Sequence, residues 1–198
     1  MRLFLPLVLA AATPALAEVE LSFYGGWQGA PNGGLTISGS APAGDNAEES
    51  LDDSGVYGLR ATWWGESGFG LGADFSHFGD GEDEGDALSF SGLDILTVNG
   101  LRRWEDGFGR VTPYVGAGLG VAMADIEAAE GTGTSEAEVT GPAVSWMAGA
   151  SVPITESWSV FGEYKGTYST GEADLDGGGT VESDTVTNSI NLGVSFSF

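Results

Sequence analysis

The sequence predicts an all-β protein: an eight-stranded antiparallel up-and-down transmembrane β-barrel with four long acidic external loops and three short periplasmic turns. Three observations carry that expectation. Polar and apolar residues alternate with a period of two over eight segments of 11 to 15 residues. The connections between these segments are long and short in strict turn. The acidic residues collect in the long ones. Strands of soluble domains usually run about 5–6 residues, whereas a tilted strand needs about 9–11 to cross a bilayer. Long loops on one side and short turns on the other are the connectivity of an outer-membrane barrel.

Residues 1–17 stand apart. Arg2 supplies a positive start, residues 3–12 form a short apolar run broken only by Pro6, and Ala15-Leu16-Ala17 is a small-x-small cleavage site. That is the pattern of a cleaved secretory signal peptide, and the run is too short to span a bilayer as a helix. The barrel domain is then 18–198. No later run of 18 apolar residues occurs, so no transmembrane helix is predicted.

The eight segments follow in order. Segment 18–28 puts Val19, Leu21, Phe23 and Trp27 on one face. Segment 54–64 does so with Tyr57, Leu59 and Trp63, and 68–79 with Phe69, Leu71 and Phe75. Segment 90–104 carries Leu96 and Val98, but Asp94 and Arg102 share their face, which implies ends at the membrane interface or a bulge. Segment 110–124 offers Val115, Leu119 and Val121, segment 142–152 keeps the same period, and 157–169 offers Trp158, Val160, Tyr164 and Tyr168. The last, 186–198, alternates most plainly: Val186, Ile190, Leu192, Val194, Phe196 and Phe198 lie on one side, with Asn188 as the single polar intruder. Period-two alternation marks strands with one apolar face. Trp27, Tyr57, Trp63, Trp158 and Tyr168 fall near segment ends, where interfacial aromatic belts sit.

The long connections are 29–53, 80–89, 125–141 and 170–185; the short ones are 65–67, 105–109 and 153–156. The long ones hold 20 of the 29 Asp and Glu residues, five in each, and no Lys or Arg. With eight strands, both termini fall on the periplasmic side.

Composition removes several function classes. Six Lys plus Arg against 29 Asp plus Glu give a net charge of −23, which excludes nucleic acid as a partner because phosphate neutralisation needs basic residues. The absence of Cys excludes disulfides, thiolate metal sites and thiol chemistry. The single His, His77, excludes a poly-His metal centre. Six Trp, five Tyr and ten Phe exclude an acidic disordered chain.

The face opposite the apolar one is expected to be polar and small. Gly26, Gly58, Gly70, Gly72, Gly116, Gly118 and Gly120 leave room on it, and side chains just fill an eight-stranded barrel, so no wide pore is predicted. It also carries Glu20, Arg60, Asp74, Arg103, Glu163 and Lys165. Unpaired charges there would be very costly, so these are expected to form a lumen charge network. Intramembrane ionisable residues also carry a functional expectation, a gated ion path or a catalytic cluster.

Three stretches are similar to known small barrels: Glu18-Val-Glu-Leu-Ser-Phe-Tyr-Gly-Gly-Trp27, Asp94-Ile-Leu-Thr-Val-Asn-Gly-Leu-Arg-Arg-Trp104, and Thr112-Pro-Tyr-Val-Gly-Ala-Gly-Leu-Gly-Val121. The chain from 18 to 198 resembles the eight-stranded OmpA/OmpX-like outer-membrane barrel superfamily. The terminal Phe198 after alternating residues looks like the C-terminal signal read by the barrel-assembly machinery. The stretch from Glu18 to Pro31 also resembles α-proteobacterial barrels described as lipid A oxidase-like.

The resemblance implies a bacterial outer-membrane location, with membrane lipids and lipopolysaccharide as partners. The expected function is a non-enzymatic structural or surface protein with a salt-bridged, plugged lumen and no required cofactor. The alternatives are a lipid A-modifying, divalent-metal-dependent enzyme or a narrow channel. For an enzyme, the candidate catalytic residues are Asp74 and His77. A deacylase-like His-x-Ser pair is absent, since Phe78 and Gly79 follow His77. Asp80, Glu82, Asp83 and Asp86 are candidate metal ligands, because oxygen donors suit hard cations. Neither this run nor the stretch from Asp174 to Thr180 completes a calcium-binding loop. Loose Ca2+ or Mg2+ binding at the acidic loops is the corresponding expectation.

Overall fold

In a computed structural model, the chain is described over residues 18–29, 34–38, 54–79, 88–105, 108–130, 133–175 and 179–198. These residues form β1 (Glu18–Gly29), β2 (Gly34–Ser38), β3 (Ser54–Trp64), β4 (Phe69–Phe78), β5 (Leu88–Arg103), β6 (Thr112–Glu130), β7 (Gly133–Pro153), β8 (Trp158–Leu175) and β9 (Gly179–Ser197). Every pairing is antiparallel between neighbours, and β1 also pairs with β9. The sheet therefore closes into a barrel of eight staves, with no open edge left in the bilayer. β2 is not a stave. It pairs with the far end of β9, from Gly34 opposite Asp184 to Ser38 opposite Thr180, beyond the stretch of β9 that pairs with β1.

The apolar faces point outward. Leu119, Ile190 and Leu192 are about two-thirds exposed, and Phe23, Trp27, Tyr57, Trp63, Leu71 and Trp158 are also exposed. The buried side chains are largely polar: Ser76, Asn99, Ser145 and Asn191 have no accessible surface. This inversion is what lipid outside and packed side chains inside require.

The strands run further than the alternation does. Segments 125–141 and 170–185 were expected as loops, yet β6 continues to Glu130, β7 starts at Gly133, β8 continues to Leu175 and β9 starts at Gly179. Main-chain pairing needs no apolar face, so the ladder passes the point where lipid-facing residues stop. The acidic residues of these segments thus lie largely on paired strand, with Asp125 opposite Glu138 and Glu172 opposite Glu182 in register.

Asp94 and Arg102 imply ends at the interface or a bulge; the β5–β6 ladder has a register shift between Phe90 and Leu93, before both residues, where Gly92 has φ +141°. Tight turns join the other ends. In the β3–β4 turn, the Gly68 N–H donates to the Gly65 carbonyl at 2.9 Å. Gly68 has φ +77°, and a Cβ there would also come within 2.7 Å of the Arg103 carbonyl, so only glycine suits the position. This turn, the 154–157 turn and both ends of the described chain mark one end of the barrel, the turn end.

The lumen is less polar than expected. Tyr24, Tyr114 and Phe161 form one buried cluster, Trp64, Leu101 and Met147 a second, and Val56, Phe78, Ile95, Ala122 and Ala143 a third. The inward glycines make slots for rings: a Cβ on Gly58 would strike the Tyr24 phenol, one on Gly193 the Phe161 ring, and one on Gly70 Trp64. At these three positions the room is filled by an aromatic ring from the neighbouring strand.

Candidate functional site

Four of the six inward charges meet at mid-lumen. Arg60 on β3 and Asp74 on β4 stand directly opposite in register, and the Arg60 Nε donates to Asp74 Oδ2 at 2.8 Å. The two Nη groups of Arg60 reach across the lumen to β8 and hold Glu163 bidentately, at 2.8 and 2.7 Å. Lys165 pairs with the other oxygen of Asp74 and donates to Ser76 Oγ at 2.5 Å and Tyr24 OH at 3.0 Å. The phenols of two further strands complete the cluster. Tyr114 donates to Glu163 Oε2 at 2.8 Å, and Tyr24 donates to Asp74 Oδ1 at 3.0 Å. All these groups are almost wholly buried. Two carboxylates, one guanidinium and one ammonium balance in charge, and the fork of Arg60 is matched to Glu163 as Arg favours.

Glu20 and Arg103 lie outside this cluster, towards the turn end. Arg103 pairs with Glu18, and with Glu105 at 2.7 Å. Its guanidinium lies 4.5 Å from the ring centre of Trp64. Glu20 accepts a hydrogen bond from Ser22 Oγ at 3.3 Å. These residues line a cavity of about 360 Å³ that opens at the turn end and is floored by Arg60, Tyr114 and Phe161.

Asp74 and His77 are not brought together. They are three residues apart on β4, so they point to opposite faces. Asp74 is buried in the lumen, whereas His77 is partly exposed on the outer surface. His77 sits opposite Asp94 on β5, with Nδ1 and Oδ1 2.6 Å apart, and its ring lies against Tyr57 at 4.9 Å. The two candidate catalytic residues thus stand on different faces of the wall. The metal candidates Asp80, Glu82, Asp83 and Asp86 lie outside the described residues. Among the described residues, no group of three or more His, Cys, Asp or Glu side chains could hold a metal ion. Phe198 ends the chain on the outer surface; its N–H donates to the Val19 carbonyl at 3.0 Å, and its ring is 6.0 Å from that of Phe196.

Sequence reasoning missed Tyr24, Ser76 and Tyr114 in the mid-lumen cluster and Asp94 as the partner of His77. The first group had a signal. Tyr24 is four residues from Glu20 and Ser76 two from Asp74, so both share the inward face with a charge already assigned there.

Comparisons with known proteins agree with this architecture. A family model described as "Outer membrane protein beta-barrel domain" matches residues 3–198. No curated protein matches the sequence. Among solved structures, the neisserial surface protein A (NspA) is similar at a TM-score of 0.64 and 14% identity, over 92% of this chain and 99% of that one. OprG of Pseudomonas aeruginosa gives 0.58 and 11%, over 93% and 96%. Ail, the attachment invasion locus protein of Yersinia pestis, solved with the heparin analogue sucrose octasulfate, gives 0.51 and 15%, over 92% and 99%. At these identities the likeness is one of fold.

Proposed function

The chain belongs to the outer membrane protein β-barrel domain family, and on that premise we propose that it is a non-enzymatic surface protein of the bacterial outer membrane with a plugged lumen. The observation that carries this reading is the mid-lumen cluster: Arg60 spans from Asp74 to Glu163, with Lys165, Tyr24 and Tyr114 closing around it. An eight-stranded barrel has room for side chains and little else, so a saturated cross-brace fastens opposite walls and leaves no ion path. The narrow-channel reading would need these bonds to part.

In the proposed orientation the turn end and both termini face the periplasm and the long acidic hairpins face outward, as short and long connections are distributed in outer-membrane barrels. Residues 1–17 are the cleaved signal peptide. Membrane lipids and lipopolysaccharide surround the apolar belt, and Phe198 with the alternating β9 is the segment that the barrel-assembly machinery reads. The acidic loops are the place for loosely held Ca2+ or Mg2+. The lipid A-modifying reading loses its residue pair, because Asp74 and His77 face different sides of the wall.

Lipid A mass spectra of a deletion strain and planar-bilayer recordings of the purified barrel test this reading together. The expected results are unchanged lipid A, no unitary conductance, and a band on gels whose mobility changes on heating. A lipid A species lost with the gene, or steady single-channel current, would overturn it.

A further inference from the structure

Among the inward-facing carboxylates that the structure describes, Glu18, Asp74 and Glu163 each hold a Lys or Arg. Glu20 holds none. It stands on β1 directly opposite Thr62 of β3, between the pairs Glu18–Trp64 and Ser22–Arg60. Thr62 and Trp64 are at least 95% buried, yet Thr62 Oγ1 and Trp64 Nε1 have no hydrogen-bond partner, and neither does Arg103 Nε. All four residues line the turn-end cavity. Buried polar groups are nearly always satisfied, so a cluster of unsatisfied ones calls for something that completes it.

The missing partners have a definite chemistry. Two N–H donors, Trp64 Nε1 and Arg103 Nε, need an acceptor, and the Glu20 carboxylate needs a cationic donor. The balance of the cavity agrees. Arg60 is committed to Asp74 and Glu163, which leaves Glu18, Glu20, Glu105 and Glu156 on the walls against Arg103 and Arg110. A volume of about 360 Å³ is far above the ~10–15 Å³ that one water requires, enough for a small solute. Since no described cluster could hold a metal ion, an organic cation is the better fit.

We propose that the turn-end cavity is a binding site for small organic ammonium ions that carry an oxygen acceptor, of the amino-alcohol or amino-acid kind. The ammonium group sits on Glu20 beside Thr62, and the oxygen receives the Trp64 indole N–H and the Arg103 Nε–H. This goes beyond the structural role proposed above and does not depend on which side of the membrane the cavity faces.

The test is a titration of the folded, detergent-solubilised barrel, 15N-labelled at its six Trp residues, with ethanolamine and glycine. The Trp64 indole resonance is assigned as the one that Trp64→Phe removes. We expect it to shift saturably in the millimolar range while the other indole signals stay in place. Glu20→Gln should weaken the response about tenfold or more, as loss of a hydrogen-bonded charge does. Thr62→Val, close in shape, should weaken it too and serves as the second variant should Glu20→Gln not fold. No saturable shift, an equal shift with sodium chloride at the same concentration, or an unchanged response in both variants would overturn the site.

Discussion

The centre of the lumen and its turn end are built from the same kinds of side chain, and they use them differently. At the centre, Glu163 gives both oxygens to Arg60 and receives Tyr114, while Asp74 is shared by Arg60, Lys165, Tyr24 and Ser76. At the turn end, Glu20 has one long hydrogen bond from Ser22, and Thr62 and Trp64 keep polar atoms without partners. Lipid removes the hydrophobic drive to pack a barrel from outside. Fastening therefore has to come from within, and the centre supplies it. The turn end has one such tie, Arg103 to Glu18, and leaves the polar groups of Glu20, Thr62 and Trp64 available to a solute.

Three substitutions would break the first half of the contrast, in order of size. Glu163→Ala leaves Arg60 and Tyr114 facing a gap; removing one partner of a buried pair costs about 3–5 kcal/mol. Urea unfolding in detergent should show a loss of that order, and a loss under ~1 kcal/mol would mean that the network fastens nothing. Tyr114→Phe deletes one hydrogen bond to a charged group, worth about 1.5–3 kcal/mol. Its effect should shrink in the Glu163→Ala background, because residues of one network are not additive. Gly58→Ala drives a Cβ into the Tyr24 phenol and the Phe75 carbonyl and should cost about 1–3 kcal/mol as overpacking. A neutral result would show that both the Tyr24 ring and the β4 backbone at Phe75 are free to yield.

How far the sequence reached differs between the two regions for a physical reason. The period of two assigns every residue of a stave to one face, so the lipid-facing set from Phe23 to Leu192 and the inward Arg60, Asp74, Glu163 and Lys165 were all legible. Parity says nothing about register between strands. It could not show that Arg60 stands opposite Asp74 while Glu20 stands opposite Thr62, nor that Asp94 stands opposite His77. Nor does it say where pairing stops, which is why β6 to β9 run past the loops expected at 125–141 and 170–185. The aromatic filling was hidden for a related reason. Trp63 and Trp64 are adjacent, so one must enter the lumen, but the glycine that receives it lies on another strand.

The smallest predicted effect separates the regions most sharply. Glu20→Gln and Glu163→Gln are the same change of shape and charge, made on inward faces of one barrel. At Glu163 the neutral amide replaces one carboxylate oxygen with an NH2 group, which cannot accept from Arg60 or Tyr114, so Asp74 alone is left to balance both Arg60 and Lys165. At Glu20 no Lys or Arg loses its pair, and the amide oxygen can still accept from Ser22. Unfolding free energy at Glu20→Gln should therefore stay within about 0.5 kcal/mol of the parent, as for substitutions that break no buried partnership. A loss at Glu20 comparable to that at Glu163 would place Glu20 in the fastening and remove the reason to regard the turn end as a place for a ligand.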